Sequence, residues 1–134
     1  MLPRYDVHRT YQWNYDHPPD VASAQSRDTP SVAGTWDFCS LPVDSPLGIA
    51  AGPLLNGQWC LYYAALGFDV LTYKTVRSRP RECYPLPNLQ NVRCDRLTGQ
   101  ERHVQAATEW TGSWAVSFGM PSMDPEIWRR DVQA

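Results

Sequence analysis

The sequence predicts an α/β fold built around a βαβ unit, in which two parallel strands are joined by one helix. Residues 47–51 are a short apolar run that ends at Gly-Pro, which is typical of a buried strand followed by a turn. Residues 59–66 carry apolar side chains at helical spacing. Residues 68–75 are rich in β-branched and aromatic side chains, which favour a second strand. This order predicts a parallel sheet with a right-handed crossover.

The helix of this unit has a predicted beginning and a predicted end. Asn56 is suited to the N-cap, because its side-chain oxygen can accept a free backbone amide of the first turn. One face of the helix carries the apolar residues Trp59, Tyr62, Tyr63 and Leu66. Gly67 is suited to the left-handed position that ends a helix. These signals place the helix between Asn56 and Gly67.

The carboxyl-terminal half of the chain is less regular. We expect irregular structure over residues 76–111, with a β-hairpin near residues 92–104, and a third strand over residues 113–118. Asp124 and Pro125 then predict a helix N-terminus, since aspartate caps a helix well and proline fits its first position. Three strands with so few helices cannot cover both faces of a parallel sheet. The pattern therefore predicts the front part of a larger α/β domain.

Residues 1–44 are predicted to form an irregular amino-terminal arm, separate from a domain over residues 45–134. The arm has three arginines against six aspartates, and residues 18–31 are polar and interrupted by proline, as in a loop. Four aromatic residues precede this loop: Tyr5, Tyr11, Trp13 and Tyr15. Because aromatic side chains gain much from burial, we expect the arm to pack against its own domain or a neighbouring subunit.

The composition limits the classes of protein that fit. The 134 residues are 43% hydrophobic, 12% aromatic and 19% charged, which is enough apolar surface for one packed domain. A net charge of -2 provides no basic excess for nucleic acid. No apolar run reaches the roughly 18–20 residues that span a bilayer, and no signal peptide is visible at the start. We therefore expect a soluble, cytoplasmic protein with no nucleic-acid or membrane partner.

The cysteines do not form a metal-binding pattern. Cys39, Cys60, Cys83 and Cys94 are spaced 21, 23 and 11 residues apart, with no C-x-x-C pair and no histidine cluster beside them. We predict four reduced, mostly buried thiols and no metal site.

Three short segments follow the three predicted strands, at the end where parallel α/β folds bind their ligands. Small residues at 50–52 let a flat ring or a phosphate approach the backbone. Residues 74–75 include the only lysine, which suits an anionic ligand group. Residues 118–120 precede a proline. Each segment has a simpler explanation: a tight turn, a solvated lysine or a Gly-Pro turn over the core. Their convergence on one pocket favours a ligand site.

The three segments together resemble a known family. Residues 45–59 (SPLGIAAGPLLNGQW), 66–88 (LGFDVLTYKTVRSRPRECYPLPN) and 117–128 (SFGMPSMDPEIW) are similar, in the same order, to segments of dihydroorotate dehydrogenases and their close relatives. Those proteins are flavin-dependent (β/α)8 barrels. The resemblance implies that residues 45–134 form a partial TIM barrel, its first three or so strands, and bind FMN. It also implies a pyrimidine substrate, a dihydropyrimidine that is oxidised by hydride transfer to FMN.

The resemblance also implies roles for individual residues. The cofactor-binding residues would be Ala50, Ala51, Gly52, Lys74 and Thr75. The substrate-binding residues would be Lys74, Phe118, Gly119 and Met120. Lys74 would in addition be catalytic, because its charge would lie near the flavin ring and the anionic group of the substrate. Asn88 lies in a Pro-x-Pro-Asn turn similar to that of the family, and no catalytic role is implied for it.

The sequence departs from the family pattern at Val116. Family members usually have an asparagine there that binds the pyrimidine edge, and a valine side chain can neither donate nor accept that hydrogen bond. The catalytic base of the family, a cysteine or serine, and its phosphate site belong to later segments than any in this chain. We therefore expect the 134-residue chain by itself to bind FMN weakly or not at all and to be inactive.

A second class of function stays open at this stage. The chain could be a non-catalytic protein that binds a partner through its aromatic arm and exposed sheet edges. Expression with FMN separates the two classes, because a flavin spectrum supports the enzyme and a colourless stable monomer supports the binding protein. The sequence leaves open the electron acceptor and whether a full-length parent is a homo-oligomer.

Overall fold

The computed structural model describes residues 5–24 and 32–134. Its helices are α1 (Tyr11–Asp16), α2 (Gly57–Ala65) and α3 (Pro125–Gln133), with a short 3-10 helix at Val21–Ser23. Its strands are β1 (Trp36–Phe38), β2 (Leu41–Val43), β3 (Gly48–Ile49), β4 (Val70–Leu71), β5 (Leu89–Arg93), β6 (Gln105–Ala106) and β7 (Trp114–Val116). Within these described residues the strands form three small sheets and no closed barrel. The architecture is mixed α/β.

The predicted βαβ unit is present. β3 and β4 pair in parallel, with Gly48 opposite Val70 and Ile49 opposite Leu71, and α2 connects them. Both strands are two residues long and therefore shorter than the predicted runs. Each has a single neighbour in the described part of the chain, so little of either run is held in a ladder.

The predicted helix ends are confirmed. At the start of α2, the Asn56 side-chain oxygen accepts a hydrogen bond from the backbone N–H of Trp59 at 3.1 Å. Gly67 follows the helix with φ +95°, the left-handed conformation that glycine adopts without a steric cost. At the start of α3, the Asp124 carboxylate accepts from the backbone N–H of Glu126 at 2.9 Å, and Pro125 is the first helical residue. Local capping chemistry thus decided where α2 begins and ends and where α3 begins.

The third predicted strand lies in a different sheet from the one expected. β5 is flanked by β6 and β7, and both pairs are antiparallel. The expected hairpin is therefore present, with β5 opposite β6. The expectation that residues 113–118 continue the parallel sheet is wrong. The stretch between β4 and β7 is fully described and contains no helix. A strand that joins a parallel sheet needs a long crossover connection, which is usually helical. Without such a helix, β7 pairs with β5.

The amino-terminal arm is less irregular than predicted, because it contains α1 and the β1–β2 hairpin. The arm packs on its own chain: Tyr11 forms a buried cluster with Leu55 and Trp59. The Trp59 indole N–H donates to the backbone oxygen of Asn14 at 3.2 Å, and the Asn56 side-chain amide donates to that of Tyr15 at 2.8 Å. Of the predicted loop, residues 25–31 lie outside the described residues.

The cysteines are less buried than predicted. All four thiols are free, but three are half-buried and Cys39 is exposed at the turn between β1 and β2. Cys39 and Ser40 both adopt positive φ in this turn, and both are exposed. None of the helices in residues 5–24 and 32–134 is long and apolar enough to cross a membrane.

Candidate functional site

Two of the three predicted site segments meet at the carboxyl end of the parallel pair. Beyond the ladder, the backbone N–H of Thr72 donates to the oxygen of Ile49 at 3.0 Å. Two residues later, the N–H of Lys74 donates to the oxygen of Leu54 at 2.9 Å. Residues 72–74 therefore run alongside residues 49–54, which brings Lys74 to the same edge as Gly52.

The backbone at residues 50–52 is open. Ala50 and Gly52 are exposed, and Ala51 is half-buried. A Cβ atom built on Gly52 would meet no atom within 4 Å. A small residue at this position is therefore not required by contacts within the described chain, so the simpler explanation of a tightly packed turn does not account for Gly52. Thr75, at the other side of this edge, is exposed.

Lys74 is not the solvated lysine that its position at a strand end would suggest. It is 8% exposed, and no ion pair within the described residues involves it. Burial lowers the pKa of the Lys74 ammonium below its usual value, and the nearby Cys83 partly opposes this change. A buried cation ordinarily has an acidic partner. The environment of Lys74 is thus suited to an anionic group that comes from outside the chain.

Cys83 is a residue of this region that the sequence did not single out. Its side chain packs against the cluster of Tyr11, Leu55 and Trp59, and it interacts electrostatically with Lys74. Burial raises the pKa of the Cys83 thiol, while a backbone hydrogen bond at Tyr84 and the Lys74 charge lower it. No pattern in the sequence marks Cys83, because it lies in an irregular, proline-rich segment and its partners are distant along the chain.

The third predicted segment, residues 118–120, is held by the loop that contains Cys83. The backbone N–H of Tyr84 donates to the oxygen of Phe118 at 3.1 Å. Gly119 and Met120 both have positive φ, +73° and +52°, and the Met120 side chain is 51% exposed. A Cβ atom at Gly119 would lie 2.8 Å from the Tyr84 ring. Glycine is therefore favoured here by both backbone conformation and space.

Asn88 shapes the approach to this segment. It is 2% exposed, and its side-chain amide donates to the backbone oxygens of Tyr84 at 2.9 Å, Pro85 at 3.3 Å and Ser117 at 3.1 Å. The backbone N–H of Ser117 donates in turn to the backbone oxygen of Asn88 at 2.8 Å. These contacts give Asn88 a structural role in joining the two loops.

Val116 lies where the family pattern has an asparagine. It is opposite Leu89 in the antiparallel sheet, and 59% of it is exposed. It therefore presents a bare apolar side chain beside the Phe118 segment.

The structure brings the predicted residues together through two kinds of contact. Backbone hydrogen bonds join the edge at residues 50–54 to Lys74. Lys74 is related to Phe118 through Cys83, which interacts electrostatically with Lys74 and packs, like Phe118, against the cluster of Tyr11, Leu55 and Trp59. No backbone hydrogen bond joins residues 118–120 to residues 50–52 in the described part of the chain.

An open cleft of about 820 Å³ lies beside this region. It is lined by residues 10–12 of the arm, residues 80–86, Asn88, residues 121–124 and Ile127. None of the eight predicted site residues lines it, although Cys83 does. The cleft is therefore adjacent to the predicted site and does not contain it.

Comparison with known proteins tests the family resemblance. The chain is 31% identical over 144 residues to a curated protein named dihydroorotate dehydrogenase from Dictyostelium discoideum. The chain is thus dihydroorotate dehydrogenase-like, as its motifs predict. The match covers 97% of the chain, so the similarity of this dihydroorotate dehydrogenase-like chain extends from residues 45–134 into the arm.

The chain spans about two-fifths of the length of this relative, since the match covers 39% of it. No protein-family model matches the chain. No solved structure matches it significantly.

Proposed function

We propose that the chain forms the flavin-facing and pyrimidine-facing part of an FMN-dependent oxidoreductase that oxidises a dihydropyrimidine. The observation that carries the proposal is Lys74, a buried lysine without an acidic partner in the described residues, at the carboxyl edge of a parallel pair. Ligands of parallel α/β folds bind at this edge. The name of the Dictyostelium relative supports the choice of reaction.

The residues at this edge fit the ring of a flavin. The exposed backbone of Ala50 and Gly52 lets a flat ring approach closely, and the open space at Gly52 is consistent with such a neighbour. Thr75 is exposed at the same edge and would contact the cofactor with Ala51 and Lys74. When FMN is bound, it supplies the acceptor for the hydride. The family resemblance assigns the phosphate contacts to later segments.

Lys74 would hold the anionic group of the substrate and offset negative charge that develops on the reacting rings. Electrostatic interactions are stronger where water is excluded, so the burial of Lys74 makes its charge effective in this role. The lowered pKa of Lys74 has the same cause, because burial disfavours the charged form until an anion arrives. This is the catalytic role that we propose for Lys74.

Residues 118–120 would bind the pyrimidine. Phe118 supplies an apolar face, and the backbone amides of Gly119 and Met120 would donate hydrogen bonds to ring oxygens. Val116 cannot replace the family asparagine in reading the ring edge. The proposal therefore names a substrate class, the dihydropyrimidines.

The binding-protein alternative is less well supported by the contacts of the arm. Tyr5, Tyr11 and Tyr15 pack within the chain around Leu55 and Trp59, so those rings are not displayed to a partner. Trp13 is the most exposed of the four aromatic residues Tyr5, Tyr11, Trp13 and Tyr15, with 36% of its surface accessible.

A chimera tests the proposal. This chain would replace the matching segment of the Dictyostelium relative, and the purified chimera would be examined for a flavin spectrum and for anaerobic bleaching by dihydroorotate. We expect a yellow protein that dihydroorotate bleaches. A folded chimera that binds FMN and is not bleached by dihydroorotate would contradict the substrate, and a folded colourless one would contradict the cofactor.

A further inference from the structure

The conformation of residues 118–120 needs support from outside the segment. Gly119 and Met120 are consecutive residues in the left-handed region, and methionine adopts that region only when its surroundings hold it there. Backbone hydrogen bonds fix Ser117 to Asn88 and Phe118 to Tyr84. These bonds hold the main chain up to Phe118 and leave its ring to be held by other contacts.

The arm supplies the contacts to that ring. Tyr5 and Tyr11 both meet Phe118 edge to face, with ring centroids 5.5 and 6.0 Å away and interplanar angles of 69° and 65°. This geometry is the favourable one for aromatic pairs, because the positive edge of one ring faces the negative face of another. Two rings from the arm therefore contact the Phe118 ring in a favourable geometry.

Tyr11 is itself firmly held. It is 5% exposed, and α1 is capped by Thr10, whose hydroxyl accepts from the N–H of Trp13 at 3.1 Å. Asn14, 1% exposed, donates to the backbone oxygens of Asp6 and Thr10, and its own backbone oxygen accepts from the Trp59 indole. Because Trp59 belongs to α2, a continuous set of contacts runs from the βαβ unit through α1 to Phe118.

We propose that Tyr11, assisted by Tyr5, is a positioning residue that holds Phe118 and so fixes the segment 118–120 for pyrimidine binding. The pyrimidine part of this statement rests on the proposed function. Cys83 packs against the same cluster of Tyr11, Leu55 and Trp59 as Phe118 does, and it interacts electrostatically with Lys74, so this cluster adjoins both parts of the proposed substrate site. The arm is then part of the substrate site although it precedes the barrel motifs.

Fluorine NMR of the 134-residue chain tests the positioning directly. The chain has three phenylalanines, so uniform 4-fluorophenylalanine labelling gives three signals, assigned by substituting each residue in turn. Phe68 packs against Tyr63 on α2 and therefore reports on the fold of the βαβ unit. In Tyr11→Leu and in Tyr5→Leu we expect the Phe118 signal to move most of the way to its position in urea, while the Phe68 signal stays.

Two further variants separate a specific contact from general loosening. Tyr11→Phe keeps the ring and adds one labelled signal of its own, and the Phe118 signal should stay at its wild-type position. Trp13→Leu removes an arm ring that stacks on His17, 4.3 Å away, and should leave the Phe118 signal unchanged. An unmoved Phe118 signal in folded Tyr11→Leu and Tyr5→Leu would overturn the proposal. If Tyr11→Leu also shifts the Phe68 signal, this variant disturbs the fold, and the Phe118 signal in Tyr5→Leu then decides whether the proposal holds.

The chimera with the Dictyostelium relative provides the functional readout. We expect Tyr11→Leu to raise KM for dihydroorotate by about tenfold, since it disorders a binding segment, with kcat changed less and with Tyr11→Phe close to wild type. An unchanged KM in Tyr11→Leu would overturn the link to pyrimidine binding. If the parent chimera does not oxidise dihydroorotate, the proposed function fails, while the fluorine spectra still decide whether Tyr11 holds Phe118.

Discussion

Lys74 is the only lysine among the 134 residues and is 8% exposed. In the chimera, we expect Lys74→Ala to slow flavin reduction by dihydroorotate by about 10²–10³, the usual loss for one well-placed electrostatic group. FMN should stay bound, because the charge acts on the reacting rings. Stopped-flow measurement of flavin bleaching gives the rate, and the exposed Arg79→Ala is the matched control for the loss of a nearby positive charge. Equal rates in Lys74→Ala and Arg79→Ala would exclude the proposed role.

Gly52 and Gly119 form a natural pair for a second prediction at the residue scale. Gly119→Ala should lower the free energy of unfolding by about 1–2 kcal/mol, because φ is +73° there and a Cβ atom would displace the half-exposed Tyr84 ring. Gly52→Ala should change it by less than about 0.5 kcal/mol, since nothing lies near the added atom. Urea unfolding followed by tryptophan fluorescence compares the two.

A reversed order of these two losses would contradict the geometry. Gly52→Ala is also the more informative variant for function. If the open backbone at Gly52 receives the flavin ring, this variant should keep the stability of the chain and weaken FMN binding in the chimera.

At the scale of elements, Asp131 of α3 joins two other elements. Its carboxylate accepts from the backbone N–H of Gly57, the first residue of α2, at 2.8 Å and from the Tyr73 hydroxyl at 2.5 Å. A carboxylate at a helix N-terminus is favoured by the free amides and by the helix dipole. Tyr73 is adjacent to Lys74, so α3 helps to fix the edge on which the candidate site lies.

Asp131→Ala should therefore cost roughly 2–3 kcal/mol of unfolding free energy, because hydrogen bonds to a charged group are lost and their donors lie half-buried. Asp131→Asn, which keeps an acceptor oxygen, should cost less. Urea unfolding of Asp131→Ala, Tyr73→Phe and the double variant gives the coupling energy, which should be clearly different from zero. Strict additivity would show that the Tyr73 contact does not contribute in solution.

At the scale of the whole molecule, buried tyrosines tie stability to alkaline pH. Burial raises the pKa of Tyr5 to about 12. It also raises the pKa values of Tyr11 and Tyr73, and for Tyr73 the hydrogen bond to Asp131 acts in the same direction. In the unfolded chain these groups lose their protons near pH 10. Above about pH 10 the unfolded chain binds fewer protons than the folded chain, so stability falls as pH rises.

We therefore expect the urea concentration at the unfolding midpoint to decrease as the pH rises from about 10 to the pKa of Tyr5 at about 12. The raised pKa of Cys83 adds a loss of stability that begins near pH 8.5, and the lowered pKa of Lys74 adds a gain of stability up to about pH 10.4. Tyr11→Phe should flatten the decline, and Tyr84→Phe, at a ring that is half exposed, serves as control. An increase in the urea concentration at the midpoint as the pH is raised above about 10 would contradict the predicted loss of stability.

Features that depend on neighbours a few residues away could be predicted from the sequence. The ends of α2 at Asn56 and Gly67 and the start of α3 at Asp124 follow from hydrogen bonds and backbone conformations within one turn. The family motifs could also be recognised, because they are short segments with fixed spelling. The βαβ unit followed from periodicity within about thirty residues.

Features that depend on distant partners were decided by the tertiary structure. The third strand pairs with β5 and not with the parallel pair, Lys74 is buried, and Cys83 lies beside it. The arm, expected to be irregular, closes on α2 through bonds that join residues 41 and 45 positions apart. Amino-acid patterns determine which conformation a segment prefers by itself. Burial and strand pairing are determined by which distant surfaces meet, and only the folded chain brings Tyr11, Phe118 and Lys74 to one place.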